Sequence, residues 1–521
     1  MDGIEQGWAI PLFIVGFVAL WMVYLTVAYV GGDLHQDVLE TWTLGRSFDW
    51  GSSKHPPLMA WAARGWTVLF PLTNWSFQLL SLTNSALALW AIDLISRQFV
   101  RGDKRLIVLL LLALLPIYHL HAQRFNANAV LLSTWPLATY CFLRSFETRS
   151  PGWAAAAGAA AALAMLGKYY SIFLIGGFAL AAICHPQRRA YFTSPAPWIA
   201  AAVGLIALGP HIHWLATTGA KPFAYAMERH SGKEFGAALL EAVGFILALA
   251  AIIGVTALAW AMMAGRYVTR ALEDIRTLDP GLLLLFTIGV GTIVFPAVTA
   301  ALVGTDMPPL WGLQGVFLFV ILIVCGASYP VPRAAANNLA VTVVGITLLA
   351  AFVAAPVHAL YRNTHPLHEG RNFYQPAVAE LTRRWHALSD SALPAVGGDE
   401  GLAFAAAFYS PDHPLYDIRL VQPNALQLPG EFSFADGWAA LCYDTDASCI
   451  GGMEAAAARA QHVARYAFSL QSTLLGQAGA TQGFVAVIVP PATVEPAVPA
   501  PGRGIAEDFS AKRRNNRPAV N

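Results

Sequence analysis

The 521-residue sequence predicts a polytopic α-helical membrane protein of about eleven transmembrane helices, followed by a small C-terminal extracytoplasmic α/β domain. Composition is the first reason. Hydrophobic residues make up 56% of the chain and charged residues 12%, against about 25% charged in a soluble domain. So few charges cannot cover a water-facing surface, and most of the chain must face lipid. The second reason is patterning: apolar runs long enough to cross a bilayer recur up to residue 357, and the polar character changes after it.

The runs fall at about 8–30, 76–96, 106–121, 126–143, 152–167, 169–184, 197–214, 237–264, 280–303, 311–327 and 337–357. The first lacks a basic leading region and a small-residue cleavage site, so it reads as a retained span. Basic residues such as Arg97, Arg101, Lys104, Arg105, Arg144, Arg149, Arg188 and Arg189 gather in alternate loops. The positive-inside rule therefore puts the N-terminus in the cytoplasm, and an odd number of spans puts everything after residue 358 outside. The run AAAAGAAAALAM (154–165) is low in complexity but helical, and its small residues permit close helix packing.

Residues 1–357 thus form a transmembrane part with a first outside loop at 31–75. Segment 358–495 mixes strand-like PAVGG (394–398) and GFVAVIVPP (483–491) with helix-like LAFAAAFY (402–409) and an Ala-rich run, 453–468. Cys442 and Cys449, eight residues apart counting both ends in CYDTDASC, are a plausible disulfide if this part is extracytoplasmic. Residues 496–521, Pro-rich and then basic, read as a disordered tail. The net charge of +1 and the absence of a basic stripe give no reason for a nucleic-acid partner.

The first outside loop is the richest in chemistry. It holds Asp33, Asp37, Glu40, Asp49, Lys54 and His55 beside a membrane boundary. Val38, Leu39, Trp42 and Leu44 recur at near-helical spacing, which predicts an amphipathic interfacial helix with Asp37 at its N-cap. Pro56-Pro57 imposes a rigid turn and re-enters helix at Leu58. Beyond the loop, Arg124, Lys168 in GKYY (167–170), Tyr169 and His213 lie at the outer ends of apolar runs. Lys and Arg there often only snorkel to the interface. His35, His55, Asp33 and Asp37 are candidate ligands for a divalent metal, although their spacing matches no strong metal signature.

This loop resembles that of the C-type glycosyltransferases that use polyprenyl-phosphate sugars, a group including bacterial lipid A aminoarabinose transferases, galacturonosyltransferases and protein O-mannosyltransferases. Asp37 stands at the first position of that family's Asp-Glu pair, Asp49-Trp50-Gly51 at its middle element and Lys54-His55-Pro56-Pro57-Leu58 at its end. Val38 stands where the Glu is usual, so that role is either lost or taken over by Glu40 or Asp33. Residues 144–171, GPHIHW (209–214), MPPLWGL (307–313) and 397–416 extend the resemblance.

The resemblance implies an inverting enzyme of a bacterial inner membrane. It would move a monosaccharide from a polyprenyl-phosphate carrier to a hydroxyl of a lipid, glycan or protein at the periplasmic face, acting on the cell envelope and its lipopolysaccharide. Asp37 would be the general base, with Asp33 the alternative. A cation drawn from Lys54, Arg124 and Lys168 would meet the departing phosphate, and Asp33, Glu40, His55, Tyr169 and His213 would line the substrate site. No cofactor is required, a divalent metal being optional. No Walker A, dinucleotide-binding or nucleophile-elbow motif is present, which disfavours a nucleotide-sugar donor. The alternative is a transporter or flippase of a lipid-linked or small polar substrate, for which no internal repeat is evident.

Overall fold

The structure is a computed structural model that describes residues 7–230, 232–274, 278–329, 331–366, 372–417, 420 and 434–492. The expected disordered tail lies outside these residues. Helix α1 is Ala9–Ala28. The loop that follows it contributes α2, Gln36–Gly45, and α3, Leu58–Leu69. There follow α4 (Asn74–Ser96), α5 (Asp103–Ala113), α6 (Leu131–Thr148), α7 (Pro151–Gly167), α8 (Ile172–Cys184) and α9 (Ala196–Thr218). After α10 (Lys221–His230) come α11 (Phe235–Ala264), α12 (Pro280–Val303) and α13 (Val316–Cys325). Last, α14 (Arg333–Leu349) continues through a π-helical turn into α15 (Ala355–Thr364).

Each of the eleven apolar runs coincides with helix, but six helices among the described residues are long and apolar enough to cross a membrane. These are α1, α4, α9, α11, α12 and the continuous α14–α15. Three shorter apolar helices accompany them. Lengths depart from the expected spans most between residues 106 and 143. Helix α5 stops at Ala113 and α6 starts only at Leu131. Pro116 lacks an N–H and its ring crowds the carbonyl four residues back, which disfavours helix across it. Residues 114–130 are instead turns around one 3-10 turn, Pro116–Tyr118, which creates an irregular wall at the end of the helix bundle.

Small residues in α7 act as expected. A Cβ on Gly158 would stand 2.2 Å from the Ala200 carbonyl oxygen of α9, a backbone approach that only glycine permits.

The C-terminal part is a five-stranded sheet of order β2-β1-β3-β5-β4. Its strands are β1 (Ala395–Gly398), β2 (Leu415–Tyr416), β3 (Trp438–Tyr443), β4 (Ala464–Leu474) and β5 (Gln477–Val489). Strand β1 is parallel to β2 and β3, while β5 runs antiparallel to both β3 and β4. Helices α16 (Tyr374–His386), α17 (Glu400–Tyr409) and α18 (Ala447–Ala457) accompany it. The Ala-rich run is not one helix. Helix α18 ends at Ala457, and from Ala464 the side chains alternate between exposed and half-buried along β4, the period of two that a half-covered strand requires. Cys442 in β3 and Cys449 in α18 are joined by a disulfide.

One core ties this part to the membrane bundle. Val38, Leu39 and Trp42 of α2 are buried with Phe77 of α4, Phe125 of the irregular wall, and Phe404 and Phe408 of α17. Burying side chains of this size is worth about 1.5–3 kcal/mol each, so α2 is clamped between the bundle and α17. Val38 is fully buried there. A glutamate at that position would place a carboxylate in an apolar core, which explains why this chain carries valine.

Candidate active site

The site is assembled from α2, the turn that follows it, the wall at 114–130 and the break between α7 and α8. His35, not Asp37, is the N-cap of α2: its Nδ1 accepts the backbone N–H of Asp37 at 3.2 Å. This corrects the expected cap. Asp37 lies in the first turn, where a carboxylate is favoured by the helix dipole, and its side chain is left to face the wall.

Asp37 Oδ2 accepts the Asn126 side-chain N–H at 2.7 Å, and its Oδ1 is 3.4 Å from His35 Nδ1. Burial pushes its pKa up, but the adjoining His35 ring, the Asn126 hydrogen bond and the Arg124 charge outweigh it and hold the carboxyl at about 2. The Thr41 hydroxyl contacts the Asp37 carbonyl at 2.7 Å and the Phe125 carbonyl at 3.1 Å, tying helix to wall.

Asn126 itself is oriented without ambiguity. Its Oδ1 accepts the N–H groups of Asn128 at 2.9 Å and Ala129 at 3.0 Å, so its amide nitrogen must face Asp37. Asn128 Oδ1 in turn accepts from Lys168 Nζ at 2.6 Å. Lys168 occupies the extended break after α7, and its ammonium lies 4.0 Å above the Trp311 ring. Burial lowers its pKa to about 7.

Lys54 is engaged differently. Ser52 Oγ accepts the backbone N–H groups of Lys54 and His55 at 3.3 and 2.9 Å, shaping the turn before Pro56-Pro57. Lys54 Nζ then reaches Glu40 at 3.1 Å and Glu400, at the start of α17, at 2.5 Å. Burial works against its ammonium, but the two carboxylates overcome this and hold Lys54 above the usual lysine value. Burial lifts Glu40 to about 7, Lys54 opposing the shift and Glu400 and Asp37 adding to it. His55 is held neutral: burial, then the Lys168 and Lys54 charges, depress it to about 3 despite Asp37.

The remaining predicted residues divide. Tyr169 is brought in, its hydroxyl 3.0 Å from His211 Nε2 and its ring stacked on Phe223. His211 Nδ1 also lies 2.5 Å from the Trp50 carbonyl oxygen, so this histidine fastens the loop to α9. His213 is exposed on α9 and takes no part in this contact. Asp33 is buried and accepts the Tyr374 and Gln375 backbone N–H groups at 2.8 and 3.4 Å. It serves the N-terminus of α16.

Arg124, Asn126 and Asn128 line a small cleft with His121, Leu310 and Gln314. Asp33 and His35 are thus committed to helix ends, and no three His, Cys, Asp or Glu side chains among the described residues form a group able to hold a metal ion. The donor set does not fit a metal, and no step is routed through one.

Sequence reasoning missed Asn126, Asn128, Trp311 and Glu400, and of the two histidines in GPHIHW it favoured His213 where His211 makes the contacts. The available signal was Arg-x-Asn-x-Asn at 124–128, polar residues at every second position close after a proline.

Residues 54–214 match the model of the dolichyl-phosphate-mannose-protein mannosyltransferase family. Over 205 residues the chain is 27% identical to the lipid A galacturonosyltransferase RgtD of Rhizobium johnstonii, a match spanning 39% of this chain and 42% of that relative. The chain thus spans less than half the length of the curated relative it matches. The crystal structure of ArnT from Cupriavidus metallidurans bound to undecaprenyl phosphate superposes with a TM-score of 0.55 at 15% identity, covering 91% of this chain and 98% of that one. Its apo state gives 0.54 at 17% identity, with 91% and 97% covered. The fold is therefore that of ArnT, and the resemblance to the C-type glycosyltransferase superfamily is borne out.

Proposed function

We propose that this chain is an inverting glycosyltransferase that moves a monosaccharide from a polyprenyl-phosphate carrier to a hydroxyl group at the periplasmic face of a bacterial inner membrane. The observation that carries the reading is one wall segment, 124–128, contacting an ionised carboxylate through Asn126 and a lysine ammonium through Asn128 beside a cleft. Eleven spans in residues 1–357 and an extracytoplasmic domain at 358–495 complete the proposal.

The reaction forms a bond from the acceptor oxygen to the anomeric carbon and breaks the bond from that carbon to the phosphate oxygen. The acceptor's proton goes to Asp37, which is ionised across the physiological range and so is always able to accept it. Charge develops on the departing phosphate. Lys54 already faces two carboxylates, whereas Lys168 is held by a neutral amide, so protonated Lys168 has positive charge to offer, and Arg124 lines the cleft. The apolar Ile117, Leu132 and Leu310 suit the start of the carrier chain. The galacturonosyltransferase likeness favours a lipid acceptor over a glycan or a protein.

The test is transfer from radiolabelled polyprenyl-phosphate sugar by the reconstituted protein supplied with membrane extract. Asp37→Asn is expected to lower transfer by about 10²–10⁴-fold with donor binding kept. Equal transfer by both proteins would remove Asp37 as the base. No transfer by the unmodified protein from any carrier sugar would remove the reading and favour a transporter.

A further inference from the structure

We propose that Asn126 and Asn128 are positioning residues: together they form a neutral hydrogen-bonded bridge that holds the Asp37 carboxylate and the Lys168 ammonium apart at a fixed separation, one for the acceptor hydroxyl and the other for the phosphate. The inference rests on the assignment of Asp37 and Lys168 above and deepens it.

The bridge is continuous. Lys168 Nζ donates to Asn128 Oδ1, the Asn128 backbone N–H donates to Asn126 Oδ1, and Asn126 Nδ2 donates to Asp37 Oδ2. Capping alone does not explain Asn126. Satisfying the Asn128 and Ala129 N–H groups needs an oxygen, which Asp or Ser supplies equally well. The Asn126 amide caps with its oxygen and donates to the Asp37 carboxylate with its nitrogen.

Placed in contact, Asp37 and Lys168 would neutralise each other in a half-buried site, as Lys54 and its carboxylates do. A neutral spacer leaves the carboxylate able to take a proton and the ammonium able to take a phosphate. The wall has a fixed shape because Thr41 binds Phe125, and Asn126 binds its own turn. The spacing therefore comes from backbone rather than from flexible side chains.

Asn126→Asp separates this role from capping. It keeps the capping oxygen but replaces the donor facing Asp37 with a second carboxylate, and two carboxylates that close share one proton. The charged or titratable groups facing Asp37 are His35 and Glu40 on α2, Arg124 on the wall and His55 in the turn, and all remain in the variant. The acid limb of the kcat/KM profile is expected to rise by about two pH units or more, with transfer recovering as pH is raised and the donor KM unchanged. Asn128→Asp should do the converse, pairing with Lys168 and raising the donor KM at least tenfold while the acid limb stays put.

A second readout does not need turnover. Carbodiimide labels protonated carboxyls, and peptide mass spectrometry across a pH series should show the labelling midpoint at positions 37 and 126 rising in Asn126→Asp relative to Asp37 in the unmodified protein. Should Asn126→Asp not fold, Asn126→Ser keeps a capping oxygen, is one bond too short to carry a donor as far as Asp37, and moves the Asp37 midpoint upward by less. A folded variant with an unmoved midpoint overturns the proposal and leaves Asn126 as a cap. A shifted midpoint in a protein that transfers no sugar supports the bridge while removing the proposed reaction.

Discussion

Lys54→Met should make stability depend more steeply on pH. Lys54 lies between Glu40 and Glu400, and Glu40 is 13% exposed. In the unmodified protein the Glu40 carboxyl titrates at about 7 against an ordinary 4.5, chiefly because of burial. A carboxyl raised in the folded state stabilises the protein fully below the unfolded value, and that contribution is lost as pH rises through the folded value. Between about pH 6 and about pH 8 the loss is about 1.4 kcal/mol for a folded value near 7. Lys54 stays charged throughout this interval and adds no slope. Without it, burial and the Glu400 and Asp37 charges push Glu40 further up, and the same interval costs up to about 2.7 kcal/mol, the limit for a carboxyl that stays protonated across it. The variant therefore loses up to about 1.3 kcal/mol more than the parent on going to the higher pH. Equilibrium unfolding in mixed micelles with rising denaturing detergent, run at both pH values, measures this difference. A gap between parent and variant that is equal at the two values refutes the reasoning. So does a slope that survives adding Glu40→Gln, which removes the titrating group.

Gly51→Ala would set a Cβ 2.6 Å from the Trp214 ring. Overpacking of this kind costs about 1–3 kcal/mol, and because the Trp50 carbonyl contacts His211, transfer should fall with stability; Trp214→Leu in the same chain should restore both in unfolding and transfer assays. Cys442→Ser opens a disulfide of sequence separation 7, for which loop entropy predicts a loss of about 2.5 kcal/mol. Reducing the parent protein should reproduce that loss in the same unfolding measurement.

Local chemistry made much of the molecule legible in its sequence. Length and apolar content required lipid-facing helices, and Pro56-Pro57 required helix to restart at Leu58, where α3 begins. The spacing of Val38, Leu39 and Trp42 announced a helix with one apolar face. What covers that face was not legible: α17 lies more than 350 residues further along the chain, and LAFAAAFY says only that it is apolar. The same limit applied to charge. Lys54 and Lys168 are equivalent as letters near a membrane boundary, and they differ only once distant partners are known, two carboxylates for one and an amide for the other. Asp33 and Asp37 were likewise interchangeable until the N-terminus of α16 took one of them.

The wall at 114–130 joins these cases. Pro116 marked the end of α5, but the apolar residues after it hid seventeen positions outside α-helix within what read as two spans. Asparagines in such a stretch look like turn formers, and they are. Their second hydrogen bonds, to Asp37 and Lys168, depend on α2 and the α7 break arriving on opposite sides of the same turn. Composition and period describe an element's own faces. A site built from the ends of several elements becomes visible only when packing has brought those ends together.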